Sequence, residues 1–224
     1  MIKLIDVSKK YEEKVIFDHF NLELAKGKIT CILGESGVGK TTLLNMITGL
    51  TSYQGCIEAS DKISYIFQEA RLIPSLTVKE NLKFVSKLST DEEIQALLSI
   101  LEIEDKMDDY PNQLSGGEAQ RVSIARAFLY DGDIILMDEP FSSLDLSLKY
   151  RLICYFSSLW NQKRKTVLFV THSIEEAVLL ANTILVLRNG KIEKEYLIPS
   201  PIPRKLTDHE DIRNSIIHDL IEKE

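Results

Sequence analysis

The sequence is poor in cysteine, lacks a long apolar run and carries no excess of positive charge. Cys31, Cys56 and Cys154 are far apart and form no CxxC pair, which predicts reduced, mostly buried thiols in a cytosolic protein. The best candidate for a membrane span, "AVLLANTILVL", is broken by Asn182 and falls short of the roughly 20 residues required. The net charge of -7 argues against a nucleic-acid partner, because such proteins usually present a basic face. The first residues lack the apolar core of a signal peptide.

The pattern of apolar runs predicts an α/β fold. The 224 residues suffice for one sizeable core, so residues 1–224 are expected to form a single domain. Buried strand candidates such as "ITCIL", "IILMD" and "KTVLFVTH" alternate with helical stretches, which favours a mostly parallel sheet. A helical block is predicted at about 76–130, with Thr90 and Glu93 as a capping box. A hairpin is expected at Asn189-Gly190, and a tail over 197–224 is expected to end in a short helix.

A glycine-rich loop follows the first buried strand. The stretch "GESGVGKTT" fits the P-loop pattern G-x-x-x-x-G-K-[ST] in full. The glycines let consecutive backbone N–H groups face phosphate oxygens, at the positive end of the next helix. Lys40 is expected to reach the β- and γ-phosphates, and the Thr41 hydroxyl to ligand Mg²⁺. The predicted phosphate-binding residues are Gly34, Glu35, Ser36, Gly37, Val38, Gly39, Lys40, Thr41 and Thr42.

Two acids end another buried strand, in "IILMDEP". Asp138, at the strand end, is expected to hold Mg²⁺, while Glu139 can face an attacking water as general base. Alone, such a pair would be read as solvated residues at a strand end. Beside a full P-loop it predicts a site for nucleotide hydrolysis.

A second glycine pair precedes a predicted helix in "QLSGGEAQRVSIARAF", residues 113–128. Together with "GESGVGKTT", "ILMDEPFSSLD" and "FVTHSIEEA", it resembles the ATP-binding-cassette (ABC) ATPases, the nucleotide-binding subunits of ABC transporters. The resemblance covers nearly the whole chain. It implies a P-loop NTPase core with a mostly parallel sheet, a small antiparallel β subdomain and an inserted helical subdomain. It also implies ATP and Mg²⁺ as cofactors.

The resemblance gives the second glycine pair a role in trans. In this family Ser115, Gly116 and Gly117 would close over the γ-phosphate held by the P-loop of another subunit. The chain would therefore pair head to tail with a second copy or a related partner. The residues alone also suit an N-cap at Ser115, and the two roles are compatible.

Four further positions match family motifs. Tyr11 in "KKYEEKVIF" matches the aromatic that stacks on adenine, although a half-buried surface tyrosine is the alternative. Gln68 matches the glutamine that reaches Mg²⁺ and the lytic water, and Asp145 matches an aspartate that communicates across the dimer. His172 matches the histidine that contacts the γ-phosphate and holds Glu139. The implied catalytic residues are Glu139, His172 and Gln68, and the implied metal ligands are Thr41, Gln68 and Asp138.

The segment "FQEARLIPSLTVKENL" resembles importers of nitrate, sulfonates, taurine and thiamine-precursor pyrimidines. In that group Leu72, Ile73 and Leu76 would help to form a groove for a cytoplasmic helix of the membrane subunit. The resemblance therefore implies an ATPase at the cytoplasmic face of the cell membrane that drives import of a small solute through a separate permease. A solute-binding protein would complete the system.

Other assignments stay open. An exporter or lipoprotein-release ATPase shares all the catalytic motifs. A non-transport ABC ATPase acting on DNA or ribosomes would usually carry a second cassette or long insertions. Ala70, Ser75 and Ser173 depart from the importer pattern and put the substrate class in doubt. The short segment after "ITGL" predicts a trimmed antiparallel sheet, and no regulatory domain is expected after the cassette.

Overall fold

The computed structural model describes residues 2–142, 144–205 and 207–221, so the predicted tail residues 222–224 lie outside the described part. The strands are β1 (Ile2–Tyr11), β2 (Lys14–Leu24), β3 (Ile29–Leu33), β4 (Gln54–Glu58), β5 (Ile63–Ile66), β6 (Ile134–Asp138), β7 (Thr166–Thr171), β8 (Thr183–Arg188) and β9 (Lys191–Leu197). The helices are α1 (Lys40–Ile47), α2 (Val78–Val85), α3 (Asp91–Ile100), α4 (Gly116–Leu129), α5 (Leu146–Lys163), α6 (Ile174–Leu180) and α7 (Glu210–Ile221).

The larger sheet has six strands in the order β5-β6-β7-β3-β8-β9. Only β9 is antiparallel to its neighbour among these strands. All residues of β3 and β7 are buried, as expected for parallel strands covered on both faces. Side chains alternate between two cores: Cys31 packs into one and Ile32 into the other. The predicted mostly parallel α/β sheet is confirmed.

The smaller sheet is antiparallel, with the order β2-β1-β4. Strand β2 begins at Lys14. Its pairing with β1 is irregular, because the register shifts at several points. Asp6 and His19 have positive φ angles of 55° and 50°. Such bulges interrupt the period-two pattern from which strands are recognised.

The helical block contains α2, α3 and α4 and lies between β5 and β6. The capping box predicted at Thr90 is confirmed, with Thr90 Oγ1 accepting from the Glu93 N–H at 3.2 Å. The predicted hairpin turn is also confirmed, since Asn189 and Gly190 have φ angles of 48° and 72° and join β8 to β9. No helix within the described ranges combines the length and the apolar character that a membrane span requires.

The topology brings the carboxyl ends of β3, β6 and β7 to one edge of the sheet, because these three strands are parallel neighbours. The glycine loop follows β3, the acid pair ends β6, and His172 follows β7. Ligand sites of parallel α/β sheets form at this edge.

Candidate nucleotide site

Residues 34–39 form a loop between β3 and α1 in which the glycines are required by packing and by backbone conformation. A Cβ on Gly34 would lie 2.7 Å from the Leu187 carbonyl oxygen, and one on Gly39 would lie 2.6 Å from Ile16 Cγ2. Gly37 and Gly39 have positive φ angles of 79° and 112°. The loop therefore brings bare backbone to the start of α1, where N–H groups and the helix dipole favour an anion.

The side chain of Lys40 folds back over this loop. Its Nζ donates to the carbonyl oxygens of Gly34 and Glu35, both at 2.8 Å, and the side chain is only 5% exposed. A third neighbour is Glu139 Oε1, at 3.6 Å. The ammonium group is thus held inside the glycine loop, as binding of a polyphosphate requires.

Thr41 and Asp138 are brought together from α1 and β6. Thr41 Oγ1 donates to Asp138 Oδ1 at 3.0 Å, and the Tyr65 hydroxyl donates to Asp138 Oδ2 at 3.3 Å. Burial raises the pKa of Asp138, while the two hydrogen bonds oppose this shift. Burial, followed by the charge of Asp138, raises the pKa of Tyr65. A hydroxyl and a carboxylate are hard oxygen ligands, so the pair fits Mg²⁺.

Glu139 lies between two basic side chains. Its Oε1 faces Lys40, and its Oε2 lies 3.2 Å from His172 Nδ1. The residue has a positive φ of 44°, uncommon for a residue with a side chain, and its N–H still donates to the Val170 carbonyl at 3.0 Å. Such strained backbone is concentrated at functional sites, where the surrounding structure holds it in place.

The turn that carries His172 is fixed by a buried polar network. The Thr171 hydroxyl accepts from the Ser173 N–H at 3.0 Å and donates to Glu176 Oε2 at 2.6 Å. Glu176 is 1% exposed and pairs with Lys149 of α5 at 2.7 Å. Sequence reasoning missed Glu176 and Lys149, because no local motif indicates that α5 supplies a cation to the end of β7.

The side chain of Tyr11 contacts other residues near the end of β1, whereas that of Gln68 is exposed and, among the described residues, makes no hydrogen bond with the other predicted metal ligands. Tyr11, at the end of β1, has its hydroxyl 3.5 Å from Thr51 Oγ1 and the Lys9 ammonium 4.4 Å from its ring centre. Hydrogen bonding to Thr51 and, more weakly, to Thr42 lowers the pKa of Tyr11. Gln68 is exposed, and in the described part of the chain its side chain has no hydrogen bond to Asp138 or Thr41.

The second glycine pair opens α4. Ser115 Oγ accepts from the Glu118 N–H at 3.3 Å, and the Ser115 N–H donates to Glu118 Oε2 at 2.7 Å. Gly116 is exposed and a Cβ there would meet nothing within 4 Å, whereas a Cβ on Gly117 would lie 2.6 Å from Leu148 Cδ2. The predicted N-cap is confirmed. Within the described residues no hydrogen bond or ion pair joins Ser115–Gly117 to the loop of residues 34–42.

Asp145 caps the helix that follows the acid pair. Its Oδ1 accepts from the Leu148 N–H at 3.0 Å, and Asp145 itself is exposed. Since Leu148 also packs on Gly117, the exposed starts of α4 and α5 lie side by side. The structure therefore assembles two separate groups, one around Lys40 and one around Ser115.

Comparisons with known proteins agree with this geometry. A family described as "ABC transporter" matches residues 17–142. An aliphatic sulfonates import ATP-binding protein, SsuB 1 of Paracoccus denitrificans, is 37% identical over 96% of this chain and 91% of its own length. A molybdenum import ATP-binding protein, ModC of Haemophilus ducreyi, is 42% identical over 77% of this chain and 54% of its own.

Solved structures show the same architecture. The dimeric structure of MJ0796, a bacterial ABC transporter cassette, has 33% identity and a TM-score of 0.76, covering 88% of this chain and 98% of that one. A post-hydrolysis state of the same cassette, bound to ADP and Pi, has 32% identity and a TM-score of 0.74 over the same shares.

Proposed function

Since the chain belongs to the ABC transporter family, we propose that it is the ATP-hydrolysing subunit of an importer and powers uptake of a small solute through a separate membrane permease. The observation that carries this function is the convergence of Lys40, Thr41, Asp138, Glu139 and His172 at one edge of the sheet. A phosphate loop, a metal-binding pair and a carboxylate next to a histidine are the parts that hydrolysis of a nucleoside triphosphate needs.

Binding of ATP falls to the glycine loop and Tyr11. Residues 34–42 offer backbone N–H groups to the phosphates, and Lys40 exchanges its two carbonyl partners for phosphate oxygens. Tyr11 is 46% exposed, so its ring face is open to stack on adenine. Thr41 and Asp138 would hold Mg²⁺, which neutralises developing phosphate charge when bound. Gln68 would join them through a contact that its exposed side chain does not make in the part of the chain that the structure describes.

Proton transfer falls to Glu139. Asp138 is engaged by Thr41 and Tyr65, which leaves Glu139 as the carboxylate able to take a proton from water. His172 holds Glu139 through its Nδ1, and its side chain is 57% exposed, so it can also face the bound nucleotide. Lys149, Glu176 and Thr171 keep the His172 turn in place.

The second group requires another subunit. Ser115 and Gly116 are exposed at the start of α4, while Gly117 is buried. This helix start offers an anion site that could accept a phosphate held by another subunit. A head-to-tail dimer would place it over the γ-phosphate bound by the partner, with Asp145 beside the shared boundary. The relative MJ0796 cassette is known as a dimer.

The permease would dock beside the Gln68 segment, which we define as residues 67–77 between β5 and α2. Leu72, Ile73 and Leu76 are half-buried, and Leu72 packs against the larger core, so they offer less apolar surface than the sequence suggested. Phe84 and Leu88, at the end of α2 and just after it, are 64% and 95% exposed. We assign them to the docking surface, because α2 is joined to the Gln68 segment through the Asn81–Ile73 hydrogen bond, and neighbouring exposed apolar side chains suit a protein contact.

The solute would be recognised by other proteins of the transport system. The two relatives are named for sulfonates and for molybdenum although both resemble this cassette. This fits a chain at the cytoplasmic face of the membrane that supplies energy, while the permease and a solute-binding protein contact the solute.

A direct test is Mg-ATP turnover and ATP binding by the purified chain and by Lys40→Ala. The variant loses tight ATP binding, because the phosphates lose their buried cation. Lys62→Ala is the matched control: Lys62 is 62% exposed and pairs with Asp131 away from the loop. Unchanged ATP affinity of Lys40→Ala in titration calorimetry would rule out the P-loop assignment.

A further inference from the structure

One buried amide connects three parts of the candidate site. Gln120 lies on α4, about one turn after the glycine pair, and is 3% exposed. Its Nε2 donates to the carbonyl oxygen of Phe67 at 3.2 Å and to that of Pro140 at 3.0 Å. Phe67 directly precedes Gln68, and Pro140 directly follows Glu139. Within the described residues, Gln120 therefore does not hydrogen-bond to the side chain of Gln68 or of Glu139. It is bonded instead to the backbone of the residue next to each of them.

The two hydrogen bonds use the whole donor capacity of that nitrogen, since a side-chain amide has two N–H hydrogens. The two carbonyl groups belong to different segments of the chain, since Phe67 follows β5 and Pro140 follows β6. Breaking either bond leaves a buried polar group without its partner, which is costly. The start of α4, the Gln68 segment and the Glu139 turn are consequently held in one arrangement.

A second buried amide holds the other end of the Gln68 segment. Asn81 of α2 is fully buried; its Oδ1 accepts from the Ile73 N–H at 2.8 Å. Its Nδ2 donates to the carbonyl oxygens of Leu76 and Thr77, both at 3.0 Å. The segment between Phe67 and Ile73 is thus fixed at one end to α4 and at the other to α2.

We propose that Gln120 is a positioning residue for hydrolysis: it ties the general base Glu139 and the Gln68 segment to the helix that begins at Ser115. A displacement of the Gln68 segment or of the α4 start then reaches Glu139 through one side chain. This rests on the proposed function, in which Glu139 is the base.

The test compares Gln120→Met with Ser123→Ala in the full chain. Met keeps the length and the unbranched shape of Gln but cannot donate. Ser123, on the same helix, is 1% exposed, and its hydroxyl has no hydrogen-bond partner among the described residues, so it is a matched buried control. Mg-ATP turnover is measured against ATP concentration, and ATP binding is measured by calorimetry.

Gln120→Met is expected to lower kcat by about ten- to a hundredfold, the effect of a small misplacement of a catalytic group. ATP affinity and KM stay at their wild-type values, because no contact of the glycine loop changes. Ser123→Ala keeps wild-type kcat. Gln120→Glu, a second variant of the same size, loses more activity at neutral pH than at low pH relative to wild type, since only the protonated acid donates.

Three results would overturn the proposal: wild-type kcat in folded Gln120→Met, an equal loss in Ser123→Ala, or a rise in KM with kcat unchanged. If Gln120→Met does not fold, the pH profile of Gln120→Glu decides, and a profile parallel to that of wild type counts against Gln120. An inactive wild-type chain would instead refute the proposed function, so the two failures are distinguishable.

Discussion

Replacing Glu139 with Gln changes one atom and removes the charge that faces Lys40 and His172. Gln keeps the size of the side chain, and its amide oxygen can still accept a hydrogen bond from either neighbour. The positive φ of 44° is equally uncommon for Gln, so the backbone penalty is unchanged. The substitution therefore isolates the proton-accepting capacity of the carboxylate.

The size of the effect follows from the geometry. Asp138 is occupied by Thr41 and Tyr65, so no second carboxylate at the β6 end is free to replace the lost base. Loss of a general base costs about 10²–10⁴ in rate, or about 3–5 kcal/mol in activation free energy. ATP binding is retained, because Lys40 is freed from an ion pair at 3.6 Å and gains freedom to bind phosphate.

The assay is single-turnover hydrolysis of Mg-ATP together with chromatography in ATP and in ADP. Glu139→Gln should bind ATP, hydrolyse it slowly and elute as a dimer with ATP but not with ADP. Glu175→Gln is the control, since Glu175 is exposed on the first turn of α6 and lies outside the ion pairs of the site. Turnover of Glu139→Gln near the wild-type rate would refute the assignment of the base.

Two further predictions concern docking and stability. The double variant Phe84→Ser, Leu88→Ser should keep the ATPase rate of the isolated chain but lose solute uptake in cells. Leu50→Ser is the control and should keep both, since Leu50 is also an exposed apolar residue, at 67%. Full uptake by the double variant with normal assembly would disprove the docking surface. Glu176→Gln should lower the free energy of unfolding in urea by up to about 3–5 kcal/mol, because Lys149 loses its partner. Adding Lys149→Met should restore part of it, and strictly additive losses would count against the pair.

The sequence predicts the larger sheet and the local site motifs because both depend on short-range patterns. The buried runs of β3, β6 and β7 and the glycine loop each lie within ten residues, so their structure follows from local rules. Parallel neighbours then bring Lys40, Asp138 and His172 to one edge, as expected of the α/β arrangement. The roles given to these residues, and the extent of a single domain over 1–224, stay predictions.

The parts that the sequence does not predict are contacts between distant side chains. Gln120 meets Phe67 and Pro140 across 53 and 20 residues, and no periodicity marks it as different from any other buried helix residue. The Lys149–Glu176 pair likewise joins α5 to α6. Bulges near His19 likewise disturb the alternation of β2, and they depend on its pairing with β1. The resemblance places Leu72 in a groove for the permease, whereas in the structure Leu72 is partly buried against the larger core.

The central claim is that each ATP is bound by the glycine loop of one chain and covered by Ser115–Gly117 of another. It is tested by mixing Lys40→Ala with Gly116→Asp. Gly116 is the suitable position, since a Cβ there meets nothing within 4 Å and an acid favours a helix start, whereas the carboxylate repels phosphate. Each variant alone should be inactive, and Gly116→Asp should still bind ATP as a monomer.

In a mixed dimer, one site combines both defects and the other combines two intact halves. An equal mixture should therefore regain hydrolysis, up to about a quarter of the wild-type rate if pairing is random and the sites act independently. A mixture no more active than its two components, or loss of monomer ATP binding in Gly116→Asp, would contradict the claim.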